Sequence, residues 1–103
     1  MAINVKTQVQ AGKGTIALEG RFDFTAHREF RAGYEQVLSG ESVKSLDIDL
    51  HQVSHMDSSA LGMLLLVRER TDAVKCEIAL INCPPSVRKV LEIANFQKLF
   101  RIT

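Results

Sequence analysis

Asp57, Ser58 and Ser59 stand directly before the apolar run Ala60 to Val67, and this step carries the most distinctive chemistry in the chain. The first backbone amides of a helix have no intrahelical partners and lie at the positive end of its dipole. Such a position favours a side-chain oxygen or an anion. A phosphate on Ser59 would be tolerated there by the fold while adding about −1.5 to −2 charges to the surface. Little cost to folding and a large change to any docked partner together make a switch. The plainer role of the same residues is helix capping, by Asp57 or Ser58.

Other reactive side chains form weaker patterns. Asp47, Asp49 and His51 make an acidic Asp-x-Asp step at a strand end, superficially that of a magnesium-dependent phosphatase. No later lysine and acidic pair stands in the arrangement that chemistry needs, and the chain is short for that fold. His27, His51 and His55 share no spacing that would join them into a metal site. Cys76 and Cys83 suggest neither a zinc pattern nor a disulfide framework, and read as reduced thiols of a cytoplasmic protein. Neither a Gly-x-Ser-x-Gly elbow nor a phosphate-binding glycine loop is present. The expectation is a non-enzyme with no catalytic residues, no cofactor and no metal.

The 103 residues match one domain, residues 1–103, and 46% of them are apolar, so the chain builds one core. At this size folding buries roughly 60 to 70% of the unfolded surface. The 13 Lys plus Arg against 12 Asp plus Glu leave a formal charge of +1. That balance argues against nucleic acid as a partner, because phosphate neutralisation by basic excess supplies most non-specific affinity. The amino terminus shows no basic segment followed by an apolar run, so no signal peptide is read. The longest apolar stretch, Ala60 to Val67, falls far short of the roughly 20 residues of a membrane span. A soluble, cytoplasmic protein with no direct membrane insertion is expected.

The elements that position these residues follow from periodicity. Ile3 to Val9 and Thr15 to Glu19 alternate in character around Gly12-Lys13-Gly14, which predicts an amino-terminal β-hairpin. Ala26, Phe30, Tyr34 and Val37 recur at helical spacing, with Thr25 as expected N-cap, Arg28 where a capping box would want Glu or Gln, and Gly40 as terminator. Ser45 to Leu50 alternates as a strand, and His51, Ser54 and His55 are expected in the loop that follows. The apolar run from Met63 to Val67 predicts a central helix, Lys75 to Ile81 a strand, and Pro84-Pro85 the start of a third helix with Val87, Val90, Leu91 and Ala94 inward. Phe96, Leu99, Phe100 and Ile102 are expected to close the core.

This order predicts an α/β sandwich: a mixed β-sheet with an antiparallel amino-terminal hairpin, later parallel strands joined by right-handed crossovers, and helices packed on the sheet. Phe22-Asp23-Phe24 and Asp57-Ser58-Ser59 then fall on strand-to-helix loops, where function concentrates in such sheets. Four successive apolar residues, Met63 to Leu66, cannot all face inward. Whichever of Met63 and Leu66 is exposed, with Phe22 and Phe24 on the neighbouring loop, forms the expected apolar centre of a partner-binding patch.

The segment Val53-Ser54-His55-Met56-Asp57-Ser58-Ser59-Ala60-Leu61-Gly62, preceded by Leu46-Asp47-Ile48-Asp49-Leu50, resembles the signature of STAS domains, specifically the bacterial anti-sigma factor antagonists. Gly20-Arg21-Phe22-Asp23, Ala79-Leu80-Ile81-Asn82 with Val87 to Leu91, and the ending Asn95 to Phe100 extend the resemblance over almost the whole chain. Ala60 departs from it, standing where glycine is more common; alanine is a good first-turn residue and should matter little.

The resemblance implies a partner-switching protein. Its phosphorylation site would be Ser59, marked by a cognate serine kinase that is often the anti-sigma factor itself and cleared by a cognate serine phosphatase. The unmodified form would hold its partner and the phosphorylated form release it. Asp57 and Asp23 would shape kinase recognition and docking. The residues expected at the partner surface are Phe22, Asp23, Phe24, Asp57, Ser58 and Met63, on a chain that is monomeric when free. STAS domains also serve as structural or regulatory subunits of membrane transporter complexes, where the serine need not be modified.

Overall fold

The chain opens on a strand pair whose turn demands left-handed backbone. In the computed structural model, which describes residues 3–40 and 43–103, β1 (Asn4–Gln10) and β2 (Lys13–Phe22) form an antiparallel hairpin. Ala11 and Gly12 turn it with φ of 53° and 81°, the two-residue turn whose twist matches that of the strands. Lys13 and Gly14, expected in the turn, already belong to β2, and β2 runs past Glu19 to Phe22. Met1 and Ala2, where the signal-peptide reading begins, lie outside the described residues, as do Glu41 and Ser42.

There follow α1 (His27–Gly40), β3 (Ser45–Met56), α2 (Ser58–Ala73), β4 (Glu77–Ile81), α3 (Pro85–Ile93) and β5 (Arg101–Ile102), with 3-10 turns at Phe24–Ala26 and Phe96–Lys98. Among the described residues the sheet has five strands in the order β1-β2-β3-β4-β5, antiparallel in the hairpin and parallel thereafter. This is the mixed α/β architecture that the alternation predicted. Each strand pairs with its successor, so right-handed crossovers place α1 and α2 on the same face of the sheet.

Burial follows that one-sided layering. Ile16, Ile48 and Leu80 lie in one row of register on the helix side and are fully buried. Thr15, Asp47 and Ala79, one residue back on each strand, face the other way and stay half-exposed, with Lys13 paired to Asp47 at 2.8 Å. Phe22, Phe30 and Tyr34 continue the core as edge-to-face neighbours with centroids 5.1 and 5.3 Å apart. Phe96 and Phe100 stack at 5.5 Å and close it at the carboxyl end, as expected. Leu99 instead points outward, its carbonyl accepting a hydrogen bond from Arg68 Nε at 3.0 Å, and Ile102 joins the edge strand β5.

The expected loop at His51, Ser54 and His55 is strand. β3 continues to Met56 because two register shifts against β2, between Ala17 and Glu19 and between Gly20 and Arg21, add residues on the β3 side. Val53 and Met56 thereby return to the buried face already occupied by Leu46, Ile48 and Leu50. Gly20 sits at the second shift with φ of 111°, a conformation that side chains disfavour. Strict alternation breaks here, so the extension could not be read from a period of two. α3 packs on β3.

Candidate functional site

β2 and β3 end in register, Phe22 opposite Met56, and each is followed by an aspartate that starts a helical segment. Asp57 is the N-cap of α2. Its Oδ1 accepts from the amide of Ser59 at 3.1 Å, the amide of Ala60 at 3.3 Å and the hydroxyl of Ser59 at 2.6 Å. Asp23 caps the 3-10 turn before α1 in the same way, accepting from the amide of Thr25 at 3.0 Å and its hydroxyl at 2.5 Å. The backbone repeats as well, with φ and ψ of −124° and −173° at Asp57 against −133° and −169° at Asp23. Asp23-Phe24-Thr25-Ala26 and Asp57-Ser58-Ser59-Ala60 are thus twin caps on adjacent strand ends, and the cap expected at Thr25 belongs to Asp23.

The twin arrangement concentrates negative charge. The Ser59 hydroxyl donating to Asp57 holds that carboxyl below the usual range, the Ala60 and Ser59 amides add to the effect, and the nearby Asp23 charge opposes it. Asp23 is lowered chiefly by the Thr25 hydroxyl, helped by the Thr25 amide and by Arg21, whose Nε lies 3.4 Å from Oδ2. Both carboxylates are therefore charged at neutral pH, and the half-buried Ser59 hydroxyl is held by its donation to Asp57 Oδ1.

The structure divides the expected contact residues. Asp23, Asp57, Ser58 and Ser59 come together at the surface, and Phe24 stands out from it, 74% exposed. Phe22 and Met63 do not reach the surface: Phe22 packs on Phe30, and Met63 lies on the sheet side of α2. The outward members of the apolar run are Leu65 and Leu66. The four-residue run thus resolves as helical geometry requires, with Met63 and Leu64 inward and the next two outward. The Thr25 hydroxyl mirrors that of Ser59, and the repeated Asp-x-Ser/Thr-Ala spelling is its signal in the sequence.

The remaining candidates stay apart. Asp49 spends one oxygen on the amide of His51 at 3.0 Å, and Asp47 on Lys13. Among the described residues no three His, Cys, Asp or Glu side chains group to hold a metal ion. Cys76 and Cys83 are free thiols whose pKa values burial pushes up. No helix of the described residues is long and apolar enough to cross a membrane.

The chain is similar to known proteins over most of its length. The family described as Mlab, STAS domain matches residues 5–101. A STAS-domain containing protein of Pseudomonas aeruginosa, strain UCBPP-PA14, is 44% identical over 103 residues, the full length of both chains. The anti-sigma F factor antagonist of Lysinibacillus sphaericus is 30% identical over 80 residues, 78% of this chain and 68% of that protein. Among solved structures, the anti-sigma factor antagonist SpoIIAA in its unphosphorylated form superposes with a TM-score of 0.71 at 24% identity, covering 98% of this chain and 86% of its own. The phosphorylated form of SpoIIAA from Bacillus gives the same TM-score of 0.71.

Proposed function

This chain belongs to the STAS domain family, and from that premise we propose that it is an anti-sigma factor antagonist worked by phosphorylation of Ser59. Unphosphorylated, it occupies an anti-sigma factor or a serine kinase of the partner-switching type; phosphorylated, it lets go, and a cognate phosphatase restores it. The protein acts by binding and performs no catalysis of its own. The observation that carries the reading is the Ser59 hydroxyl, fixed at 2.6 Å from Asp57 at the mouth of α2 with the Asp23 cap alongside. That a fold neighbour, SpoIIAA, exists in phosphorylated and unphosphorylated forms supports it.

The direction of switching follows from charge. The docking surface holds Asp23, Asp57, Ser58 and the exposed Phe24. A phosphate there adds roughly two negative charges to two carboxylates and penalises a partner whose facing patch is acidic or apolar. One mispaired, desolvated charge costs several kcal/mol, equivalent to a hundredfold or more in affinity.

The test is capture from native lysate with wild-type, Ser59→Ala and Ser59→Asp baits, with intact-mass measurement of the endogenous protein. Wild type and Ser59→Ala are expected to retain a kinase-like partner, Ser59→Asp to lose it, and a phosphoform to appear for the wild type alone. Equal capture by Ser59→Ala and Ser59→Asp would sink the proposal. So would a stoichiometric complex with a membrane transporter subunit and no phosphoform, which is the outcome expected of a transporter subunit.

A further inference from the structure

The outer surface of α1 and α2 carries a feature that the serine site does not use. These two helices run parallel, since both return from parallel strands, and a groove of about 370 Å³ lies between them. Each helix lines it over two turns: His27, Arg31, Tyr34 and Glu35 from α1, with Leu66, Glu69, Arg70 and Ala73 from α2. Those spacings are the i, i+4, i+7 seam of a helix, so the groove is about 11 Å long. Arg70 Nε clasps both carboxylate oxygens of Glu35 at 3.0 and 3.1 Å and ties the far end together.

We propose that this groove is a second docking surface and that its occupant is an acidic amphipathic helix of a partner protein. The apolar part of the lining is Leu66, 45% exposed, with the edge of the Tyr34 ring and Ala73, and Leu66 in turn rests on the buried Phe30 and Met63. The lip along α1 is cationic. Arg28 and Arg31 are exposed and join no ion pair among the described residues, and His27 adjoins them. Of the carboxylates at the groove, Glu35 is already held by Arg70, which leaves Glu69 alone against two free guanidiniums.

Apolar floor and basic lip select a helix that places a leucine-like side chain over Leu66 and carboxylates toward Arg28 and Arg31. A nucleic-acid strand would use the arginines and waste the floor. A second copy of this chain has no matching helix among its described residues, since its most exposed one, α3, sets Arg88 and Lys89 against Glu92. The groove stands on its own observations and does not depend on Ser59 being modified.

The experiment is a nuclear magnetic resonance titration of the full chain with a blocked helical peptide about 14 residues long, leucines at i, i+4 and i+7 and glutamates beside them, against the same peptide with lysines for glutamates. The glutamate peptide is expected to shift the Arg31, Tyr34, Leu66 and Arg70 resonances saturably. Binding should be at least about tenfold weaker for the lysine peptide and for Arg31→Glu, and unchanged for Lys89→Glu on α3. Unmoved groove resonances, equal binding of the two peptides, or no loss in Arg31→Glu would overturn the proposal. Concentration-dependent shifts of the same residues without peptide would overturn it in favour of a second copy.

Discussion

Asp57 does two tasks with one oxygen, capping α2 and holding the Ser59 hydroxyl. Removing it as Asp57→Ala should cost about 1 kcal/mol in urea unfolding, the usual worth of a cap. The sign of its pH dependence follows from the lowered pKa. The charged form is preferred in the folded state, so the stabilisation is present above the ordinary carboxyl value of about 4 and is lost as pH falls through the lowered folded value. Asp57→Asn keeps a capping oxygen without a charge. The stability gap between wild type and Asp57→Asn should therefore narrow between neutral pH and about pH 3, and a gap constant across that range would contradict the assignment. Both strand-to-helix loops, Phe22-Asp23-Phe24 and Asp57-Ser58-Ser59, are distinctive in the sequence, but only at Asp57 is the cap itself legible, because an apolar helical run follows it. At the other loop the sequence points to Thr25 as the cap, whereas Asp23 takes that place by accepting from the Thr25 amide.

At the scale of elements, two positions near the hairpin test opposite limits of backbone and packing. Ala11 holds φ of 53° in a turn that suits asparagine or glycine, so Ala11→Asn should raise the unfolding midpoint, with a gain of about 0.5 to 1 kcal/mol. Gly14 is confined by its neighbours instead: an added Cβ would come within 2.6 Å of Val37 Cγ1 and 3.2 Å of Leu46 Cδ1. Gly14→Ala should therefore destabilise by about 1 to 3 kcal/mol through overpacking, measured in the same denaturation. The two glycine-region positions look alike in sequence, and only the approach of α1 and β3 to Gly14 separates them. The long β3 is a similar case. Its register shifts keep Val53 and Met56 on the buried face while breaking the alternation from which a strand is recognised.

As a whole the molecule is thin, with extents of 33 × 30 × 19 Å, because its helices α1 and α2 share one side of the sheet and the other side carries half-exposed polar residues. Screening limits the reach of a charge to about 8 to 10 Å in ordinary salt, well short of the longer dimensions. A phosphate at Ser59 thus changes the potential of one end of the molecule and shifts the formal total from +1 to roughly −1. The core closes at the carboxyl end of the chain. Phe100 is buried and stacked on Phe96, and Phe100→Ala should cost about 3 to 5 kcal/mol, enough to lower the melting temperature sharply. A variant that melts with the wild type would show that the closing segment is dispensable.

The fold class was legible because its signals are local and repeat: alternation in the strands, helical spacing at Ala26, Phe30, Tyr34 and Val37, prolines at the start of α3. Asp57-Ser58-Ser59 was legible for the same reason, since a cap, a hydroxyl and an apolar helix are neighbours in the chain. Tertiary structure decided which residues face outward. Phe22 and Phe24 are two apart and equally apolar, yet the last turn of β2 buries one against Phe30 while the 3-10 turn exposes the other. Met63 and Leu66 separate in the same way on α2, and the pairing of Asp23 with Asp57 exists only because β2 and β3 end in register. Periodicity records how often a chain returns to a face; only packing determines which face is covered.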